Sequence, residues 1–267
     1  MTINTERINE IFIVRLNRPE AHNALDLESM MLLRQKLIDF RDDPELAVAI
    51  ITGTGEHAFC TGADLKRTIP PASPFAAAHL APYEVGVRDG AYVRAITISE
   101  LAIPKPLIAA VNGHALGGGL EIALDCDLRI AASNATFGLP EARWASVPAV
   151  GGVSQLLRAV PSAVAMKMLL TGDRIDAAEA HRIGLVSDVV PGQQLIDTAL
   201  TLARRITANG PLAVRAIKSL ALRSFDLPLT QSIAMEQLMW GLLRDTDDRA
   251  EGRRAFAERR DPRYRGA

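Results

Sequence analysis

Residues 111–127 read VNGHALGGGLEIALDCD, and this stretch carries the strongest signal in the chain. A short apolar run ends in three glycines at residues 117–119, and an apolar segment with a helical pattern follows them. Glycine lets a ligand approach backbone N–H groups, and a helix start adds unpaired donors and the positive end of its dipole. The stretch therefore predicts a place where negative charge on a ligand oxygen is stabilised. Glu121 follows in the first helical turn, where an acid is also favoured for purely structural reasons, so both interpretations stay open.

The composition is that of a globular protein with one large domain, or a core with an appendage: 267 residues, 48% hydrophobic and 23% charged. A formal net charge of −1 and 4% aromatic residues argue against a nucleic-acid partner. Cys60 and Cys126 have no CxxC spacing and predict reduced thiols in a reducing compartment. We see no signal-peptide pattern and no bilayer-length apolar stretch, so we expect a cytoplasmic protein without a membrane partner.

Hydrophobic periodicity predicts the elements of the first half. Residues 11–16 form a β-branched run that stops at a proline turn, and residues 47–52 have the pattern of a buried strand. Residues 63–66 are predicted to start a helix. Residues 68–82 contain four prolines, which predicts a mobile loop or lid without a regular element. Residues 83–101 again have a helical pattern. Asp26 is predicted to cap a helix whose apolar residues recur at helical spacing, namely Leu27, Met30, Leu33, Leu37 and Phe40.

The second half alternates strands, a loop and helices. Residues 107–111 and 128–132 predict strands on either side of the glycine-rich stretch. Residues 136–153 are predicted as a loop, and it carries a second acid, Glu141, among largely apolar neighbours. Asp176 and Glu179 have capping-box spacing at the start of a helix. An extended piece at residues 185–190 precedes helices predicted at residues 194–208, 211–222, 229–244 and 247–259.

Several kinds of chemistry have no signal in the sequence. The five histidines show no metal-ligand spacing, and no GxSxG elbow indicates serine hydrolysis. Neither a GxGxxG fingerprint nor a GxxxxGK[ST] loop is found, so nucleotide cofactors and nucleotide hydrolysis have no support. What remains is two carboxylates, Glu121 and Glu141, and two glycine-flanked backbone segments.

These segments together resemble the crotonase (enoyl-CoA hydratase/isomerase) superfamily. The pattern NGxxxGGGxE with an upstream GAD and a downstream PE is specific, and the similarity covers nearly the whole chain. The matching segments are LNRPEAHNAL (16–25), AFCTGADLK (58–66), PKPLIAAVNGHALGGGLEIALDCDLRIAA (104–132), FGLPEA (137–142), LTGDRIDAAEAHRIGLV (170–186) and EGRRAFAERRDP (251–262).

The resemblance implies an α/β fold in which repeated ββα turns form a spiral core of two sheets. It places the core and acyl-CoA site in residues 1–195 and a helical oligomerisation region in residues 196–267, with a homotrimer or a homohexamer as the assembly. It also implies an acyl-CoA thioester substrate and no separate cofactor or metal, because coenzyme A is part of the substrate.

By motif, the resemblance assigns the two oxyanion-hole donors to the backbone N–H groups of Ala63 and Gly118. It matches Glu121 and Glu141 to the two glutamates of the family's hydratases. Lys66 suits a phosphate contact and a solvated helix face equally well. The CoA-binding residues implied by the resemblance are Ala24, Thr61, Asp64, Leu65 and Lys66.

The two acids favour an enoyl-CoA hydratase, because water addition needs a base for the water and an acid for C2. We hypothesise that Glu121 activates the water and Glu141 protonates C2, with the roles reversed in dehydration. Ala145 and Ala149 stand where many hydratases have glycines, and Trp144 adds bulk, which favours an acyl group other than a short fatty chain. The alternatives are a carnitinyl-CoA-type dehydratase, a double-bond isomerase that needs one acid, and a non-catalytic acyl-CoA-binding protein.

Overall fold

The computed structural model describes residues 1–68 and 74–267, and the strands in these residues form two sheets. The strands are β1 (Ile3–Ile8), β2 (Ile11–Leu16), β3 (Val48–Gly53), β4 (Ala58–Cys60), β5 (Leu107–Val111), β6 (His114–Leu116), β7 (Leu128–Ala132), β8 (Thr136–Gly138), β9 (Ile175–Asp176) and β10 (Asp188–Val190).

Helices cover the sheets and form the C-terminal part of the chain. In the described part of the chain, short 3-10 helices lie at Pro19–Ala21, Ser99–Leu101, Pro140–Trp144 and Gly192–Gln194. The α-helices are α1 (Leu27–Asp42), α2 (Phe75–Leu80), α3 (Tyr83–Arg88), α4 (Val93–Ile96), α5 (Gly118–Asp125), α6 (Gly152–Ala159), α7 (Ser162–Thr171), α8 (Ala177–Arg182), α9 (Leu195–Thr207), α10 (Pro211–Ser224), α11 (Leu229–Arg244) and α12 (Asp247–Glu258).

The larger sheet has the strand order β1-β2-β3-β5-β7-β10, with only the β1–β2 pair antiparallel. The smaller sheet has the order β4-β6-β8-β9, with the first three strands parallel. The chain alternates between the sheets: β3, β5 and β7 lie in the larger one, and the strand that follows each of them lies in the smaller one. Helical segments follow each strand pair. This is the predicted α/β architecture of repeated ββα turns.

Both faces of the central strands β3 and β5 are buried, as their nearly all-apolar sequences predict for a parallel sheet. Because side chains alternate along a strand, Ile13, Ile50 and Ile108 share one face and pack against α9. The opposite face belongs to the main core, into which α1 inserts its predicted apolar stripe. Met30, Leu33, Leu37 and Phe40 are all buried there.

The smaller sheet positions the candidate site. In parallel strands the carboxyl ends meet at one edge, which is where open α/β sheets bind ligands. The chain leaves β4 into residues 61–63, leaves β6 into the glycine run, and leaves β8 into the 3-10 helix that carries Glu141. Because β6 lies between β4 and β8, three segments distant in sequence become neighbours.

Local capping signals were predicted correctly. The Asp26 carboxylate accepts a hydrogen bond from the N–H of Ser29 at 3.0 Å and begins α1. Asp176 accepts one from Glu179 N–H at 2.8 Å and begins α8. The predicted helices of the C-terminal part correspond to α9 through α12 to within two residues at either end. The predicted division of the chain at residues 195 and 196 stays a prediction and falls in the first turn of α9.

The proline-rich segment differs from the irregular loop that was predicted. Residues 69–73 lie outside the described part, but Phe75–Leu80 form α2, so the prediction was wrong there. Pro74 and Pro82 stand immediately before α2 and α3. At these positions a missing N–H removes no helical hydrogen bond.

The single helix predicted for residues 83–101 is interrupted twice. Gly90, with a φ of +113°, separates α3 from α4. Thr97 has an extended backbone and separates α4 from the 3-10 helix at Ser99–Leu101. The helical pattern therefore indicated helical segments in this range but not the breaks between them.

Two further segments differ from their predictions. Ala63 forms a β-bridge with Leu25, and residues 65–68 form turns and a bend, so residues 63–66 do not start a helix. Residues 136–153, predicted as a loop, contain β8, the 3-10 helix Pro140–Trp144 and the start of α6. A strand of three residues is too short to show a periodic pattern, which explains the second error.

Both cysteines are buried and free. Within the described residues we found no helix that combines the length and the apolarity needed to cross a membrane.

Candidate active site

Glu121 lies in the first turn of α5 and is 3% exposed. Its Oε1 accepts hydrogen bonds from the backbone N–H of Val150 at 2.7 Å and of Gly152 at 2.9 Å. Both donors belong to the segment that leads into α6, which packs against α5. The other oxygen, Oε2, accepts no hydrogen bond within residues 1–68 and 74–267. The Glu121 carboxylate is thus held through Oε1, and Oε2 is available to accept a hydrogen bond from a ligand.

Burial raises the pKa of Glu121, because a charged carboxylate is less well solvated inside the protein. The two amide hydrogen bonds oppose this effect, since they stabilise the charged form. The negative charge of Asp125, one turn further along α5, adds to the increase. Glu121 is therefore a buried carboxylate whose anionic form has dedicated donors.

Glu141 lies in the first turn of the 3-10 helix Pro140–Trp144. Its Oε2 is buried and has no hydrogen-bond partner among the described residues. Burial, with a smaller contribution from the charge of Glu121, raises the pKa of Glu141 to about 7. A carboxyl group with this pKa retains its proton in a large fraction of molecules at neutral pH, which suits a general acid.

The glycine run brings the two acids to one place. Gly117 has a φ of +54° and ψ of −130°, and a β-carbon at this position would lie 3.0 Å from Oε1 of Glu141. The carboxyl group of Glu141 therefore lies directly over the backbone that begins α5. Four residues later the same helix carries Glu121, whose charge influences Glu141.

The two backbone segments predicted as anion donors also come together. Gly62 has a φ of +87°, and a β-carbon there would lie 2.9 Å from the amide nitrogen of Gly118. A β-carbon on Gly118 would in turn lie 3.8 Å from the amide nitrogen of Ala63. Neither of these two N–H groups donates a hydrogen bond within the described part of the chain. The arrangement offers two free donors at one point, next to the positive end of α5.

The predicted CoA-binding residues form one strip on two hydrogen-bonded segments beside this point, and Ala24 is buried in it. Leu25 N–H donates to the Gly62 carbonyl at 2.8 Å, and Asp64 N–H donates to the Leu25 carbonyl at 2.9 Å. Arg18 links the two segments, because it bonds the Ala24 carbonyl at 2.8 Å and the Asp64 carboxylate at 2.9 Å. The carboxylate of Asp64 is thus engaged by Arg18 and fixes the loop that carries Ala63.

The remaining predicted residues of this strip are more open. Thr61 donates a long hydrogen bond of 3.4 Å to the His22 carbonyl. Leu65 is 71% exposed, and Lys66 is exposed with its N–H bonded to Asp64. These side chains are free to meet a ligand at the surface.

Sequence reasoning missed the donors that hold Glu121. Val150 and Gly152 fall in a segment that was predicted only as a loop, and backbone amides carry no side-chain signal. A β-carbon on Gly152 would lie 2.9 Å from Oε1 of Glu121. The glycine pair at residues 151–152 was therefore the available signal for a close approach.

The geometry joins the buried Glu121 and the partly buried Glu141 to two free N–H donors. No group of three or more His, Cys, Asp or Glu side chains in residues 1–68 and 74–267 could hold a metal ion. Such a site can move protons with its carboxyl groups and stabilise negative charge on a ligand oxygen with its amides.

Comparison with known proteins agrees with this fold. The model of the enoyl-CoA hydratase/isomerase family matches residues 6–267. A solved enoyl-CoA hydratase from Bacillus anthracis has a TM-score of 0.90 and 36% identity, with 100% of both chains covered. The chain belongs to the enoyl-CoA hydratase/isomerase (crotonase) family, and it is an enzyme of the hydro-lyase class.

Two curated relatives have narrower names. The (E)-benzylidenesuccinyl-CoA hydratase of Thauera aromatica is 49% identical over 267 residues, with 100% of both chains covered. The carnitinyl-CoA dehydratase of Citrobacter koseri is 39% identical over 271 residues, covering 99% of this chain and 98% of the relative.

Proposed function

We propose that this enzyme adds water reversibly across the 2,3-double bond of a 2-enoyl-CoA thioester. In this proposal the amides of Ala63 and Gly118 bind the thioester carbonyl oxygen, Glu121 is the general base, and Glu141 is the general acid. Ala24, Thr61, Leu65 and Lys66 would line the bound coenzyme A, with Asp64 holding their loop in place. No cofactor takes part beyond the coenzyme A of the substrate.

The reaction needs one proton to leave water and another to reach C2. Oε2 of Glu121 accepts a proton from the water while the water oxygen bonds to C3. The electrons of the double bond move to the thioester carbonyl, and the resulting enolate oxygen carries the charge. Preorganised donors at that oxygen are worth about 3 kcal/mol each. Glu141 then gives its proton to C2 to complete the 3-hydroxyacyl-CoA, and in dehydration the same transfers run backwards.

The observation that carries the proposal is the different environment of the two acids around one glycine-lined point. Glu121 has two N–H donors for its anion, whereas Glu141 has a buried oxygen without a partner and a pKa of about 7. A base that is stable when charged and an acid that keeps its proton are the pair that hydration requires.

For the acyl group we propose a bulky chain with an aromatic ring at the double bond. The relative at 49% identity is a benzylidenesuccinyl-CoA hydratase, and a benzylidene group carries such a ring. Trp144, at the end of the 3-10 helix that carries Glu141, and Val147, in the loop after it, are 71% and 67% exposed and offer apolar surface to a large acyl group. The second candidate is dehydration of a carnitinyl-type thioester, which the relative at 39% identity supports.

We propose a homotrimer or homohexamer as the working form. Large apolar side chains of α10, α11 and α12 face solvent in the single chain, and such surfaces usually mark protein contacts. The most exposed of them include Ile217, Leu229, Leu238, Trp240 and Phe256.

The test is the ultraviolet band of the conjugated enoyl thioester, followed for benzylidenesuccinyl-CoA and for a short straight-chain 2-enoyl-CoA. We expect the wild type to remove the band and Glu141→Gln to lose about 100-fold or more of the rate. Glu56→Gln, at an exposed position, is the matched control and should retain full rate.

Other outcomes separate the alternatives. Retained activity in Glu141→Gln, with a product whose double bond has only moved, would establish an isomerase. Calorimetric binding of acyl-CoA without turnover of any tested thioester would establish a binding protein and refute the hydratase proposal.

A further inference from the structure

Asp125 is a second carboxylate on α5, one turn after Glu121, and three N–H groups converge on it. Its Oδ1 accepts a hydrogen bond from the side-chain amide of Gln155. Its Oδ2 accepts the backbone N–H groups of Ile98 at 3.0 Å and Ser99 at 3.3 Å. All three groups donate, and none of them could accept a proton from the carboxyl group. The three donors stabilise the charged form of Asp125 and oppose its burial, which raises the pKa of this carboxyl group.

The three donors come from the elements that surround the candidate site. Gln155 lies in the first turn of α6, and its amide folds back over Gly151, where a β-carbon would lie 3.0 Å from Nε2. Gly151 stands between the two residues whose amides hold Glu121. The hydrogen bond from Gln155 to Asp125 therefore ties that amide pair to the helix that carries Glu121.

The other two donors connect Asp125 to the segment that follows α4. Ile98 and Ser99 follow α4, whose last residue is Ile96. The Cδ1 atom of Ile96 lies 3.8 Å from where a β-carbon on Gly118 would be. A single carboxylate thus fixes α5, the start of α6 and the segment that brings Ile96 against the anion-binding backbone.

We infer that Asp125 and Gln155 are a positioning pair for Glu121, which set its charge environment and hold its two amide donors in place. This inference rests on the proposed role of Glu121 as the base. Neither residue touches the reacting atoms in the proposed mechanism. They act through Glu121 and through the segment at residues 150–152.

Each member of the pair acts on Glu121 in an opposite sense. The charge of Asp125 disfavours a charge on Glu121, whereas the amides that Gln155 holds in place favour it. The other charged groups nearby are Lys218 of α10, which forms an ion pair with Asp127 at 2.8 Å and whose charge favours the anion of Asp125, and Glu141, which interacts with Glu121. Removing the Asp125 charge should therefore lower the pKa of Glu121, and releasing the amides should raise it.

The test compares Asp125→Asn and Gln155→Leu with Ser154→Ala, an exposed neighbour on α6 that serves as the control. The pKa of Glu121 is followed by carbon-13 NMR of the labelled carboxyl group without substrate, assigned with Glu121→Gln. We expect a decrease of about 0.5 to 1 pH unit in Asp125→Asn and an increase of similar size in Gln155→Leu. Ser154→Ala should titrate like the wild type.

Kinetics on the enoyl-CoA substrate supply the second measurement. Gln155→Leu should lose about 10- to 100-fold in kcat with KM changed by less than about threefold, because the misplaced base affects the transition state more than binding. The acid limb of the pH–rate profile should move in the direction of the NMR titration in each variant.

Unchanged Glu121 titration in both variants, or displacement in the same direction in both, would overturn the inference. So would unchanged kcat in Gln155→Leu of an active enzyme. Opposite displacements in a protein that hydrates no enoyl-CoA would uphold the positioning pair and refute the hydratase proposal instead. Should Asp125→Asn fail to fold, the absence of a pKa increase in Gln155→Leu still decides against the pair.

Discussion

Replacing Glu141 by Gln should change how the stability of the protein depends on pH. The pKa of Glu141 is about 7 in the folded state against an ordinary value of 4.5, and burial is the main cause. Below both pKa values the carboxyl group is neutral in the folded and in the unfolded state, so it has no effect on the free energy of unfolding. As pH rises from 4.5 to 7, the unfolded chain ionises first, so the folded state loses relative stability, and the loss is complete above the folded-state pKa.

The size of the effect follows from the difference between the two pKa values. About 2.5 pH units at about 1.36 kcal/mol per unit give a ceiling of about 3.4 kcal/mol. Part of the Glu141 side chain reaches solvent, which reduces the penalty, so we expect about 1 to 2 kcal/mol. Gln has no such ionisation, and Glu141→Gln should therefore gain this amount relative to the wild type between about pH 4 and about pH 8.

Urea unfolding at a fixed protein concentration measures the difference, since the stability of an assembly depends on concentration. Glu56→Gln, at an exposed site, should show no such change across the same pH range. A difference between wild type and Glu141→Gln that stays constant with pH would mean that the Glu141 carboxyl group has the same pKa in the folded and the unfolded state. A difference that grows toward low pH would mean that a cation holds it, and either result would refute the reasoning.

Four further predictions concern the site and its loops. Glu121→Gln should lower kcat about 1000-fold in the enoyl absorbance assay, the range of general-base removal. The hydration rate of the wild type should fall as pH rises above about 7, because Glu141 then loses its proton; a flat profile up to about pH 9 would contradict this role. Gly62→Ala should lose about 100-fold in kcat, because its β-carbon meets the Gly118 amide at 2.9 Å, and retained kcat in steady-state assays would exclude that amide as a donor. Ala145 has a φ of +53°, a backbone conformation that glycine adopts more easily than alanine. Ala145→Gly should therefore raise the free energy of unfolding in urea by about 0.5 to 1 kcal/mol. The control Ala142→Gly, in the adjoining 3-10 helix, should lower it.

Elements with a repeating apolar pattern could be predicted from the sequence. The stripe of α1 and the buried runs of β3, β5 and β7 show it because each buries a face along its whole length. β1 could not be found this way, since four of its six residues are exposed. β4, β6 and β8 each have three residues, and they form by pairing with strands far away in sequence.

Some residues of the candidate site could likewise be predicted from the sequence, and others could not. The acids Glu121 and Glu141 could be named from residue type and motif, and the structure places both at the glycine run. The donors to Glu121 could not, because they are backbone amides 29 and 31 residues away. Only the folded chain determines which amide faces which carboxylate, and the same holds for the contact between Gln155 and Asp125.

The edge formed by β4, β6 and β8 has a consequence for how such enzymes diversify. Each strand end supplies one component: an amide donor, a second amide with a carboxylate on its helix, and a second carboxylate. The strands pair through their backbones, so a residue exchanged in one loop leaves the other two in register. Loss of the acid that follows β8 would leave the two free amides of the other segments in place. Under the proposed function, we therefore expect that reactions sharing a charged intermediate can be reached from one another by substitutions in a single segment.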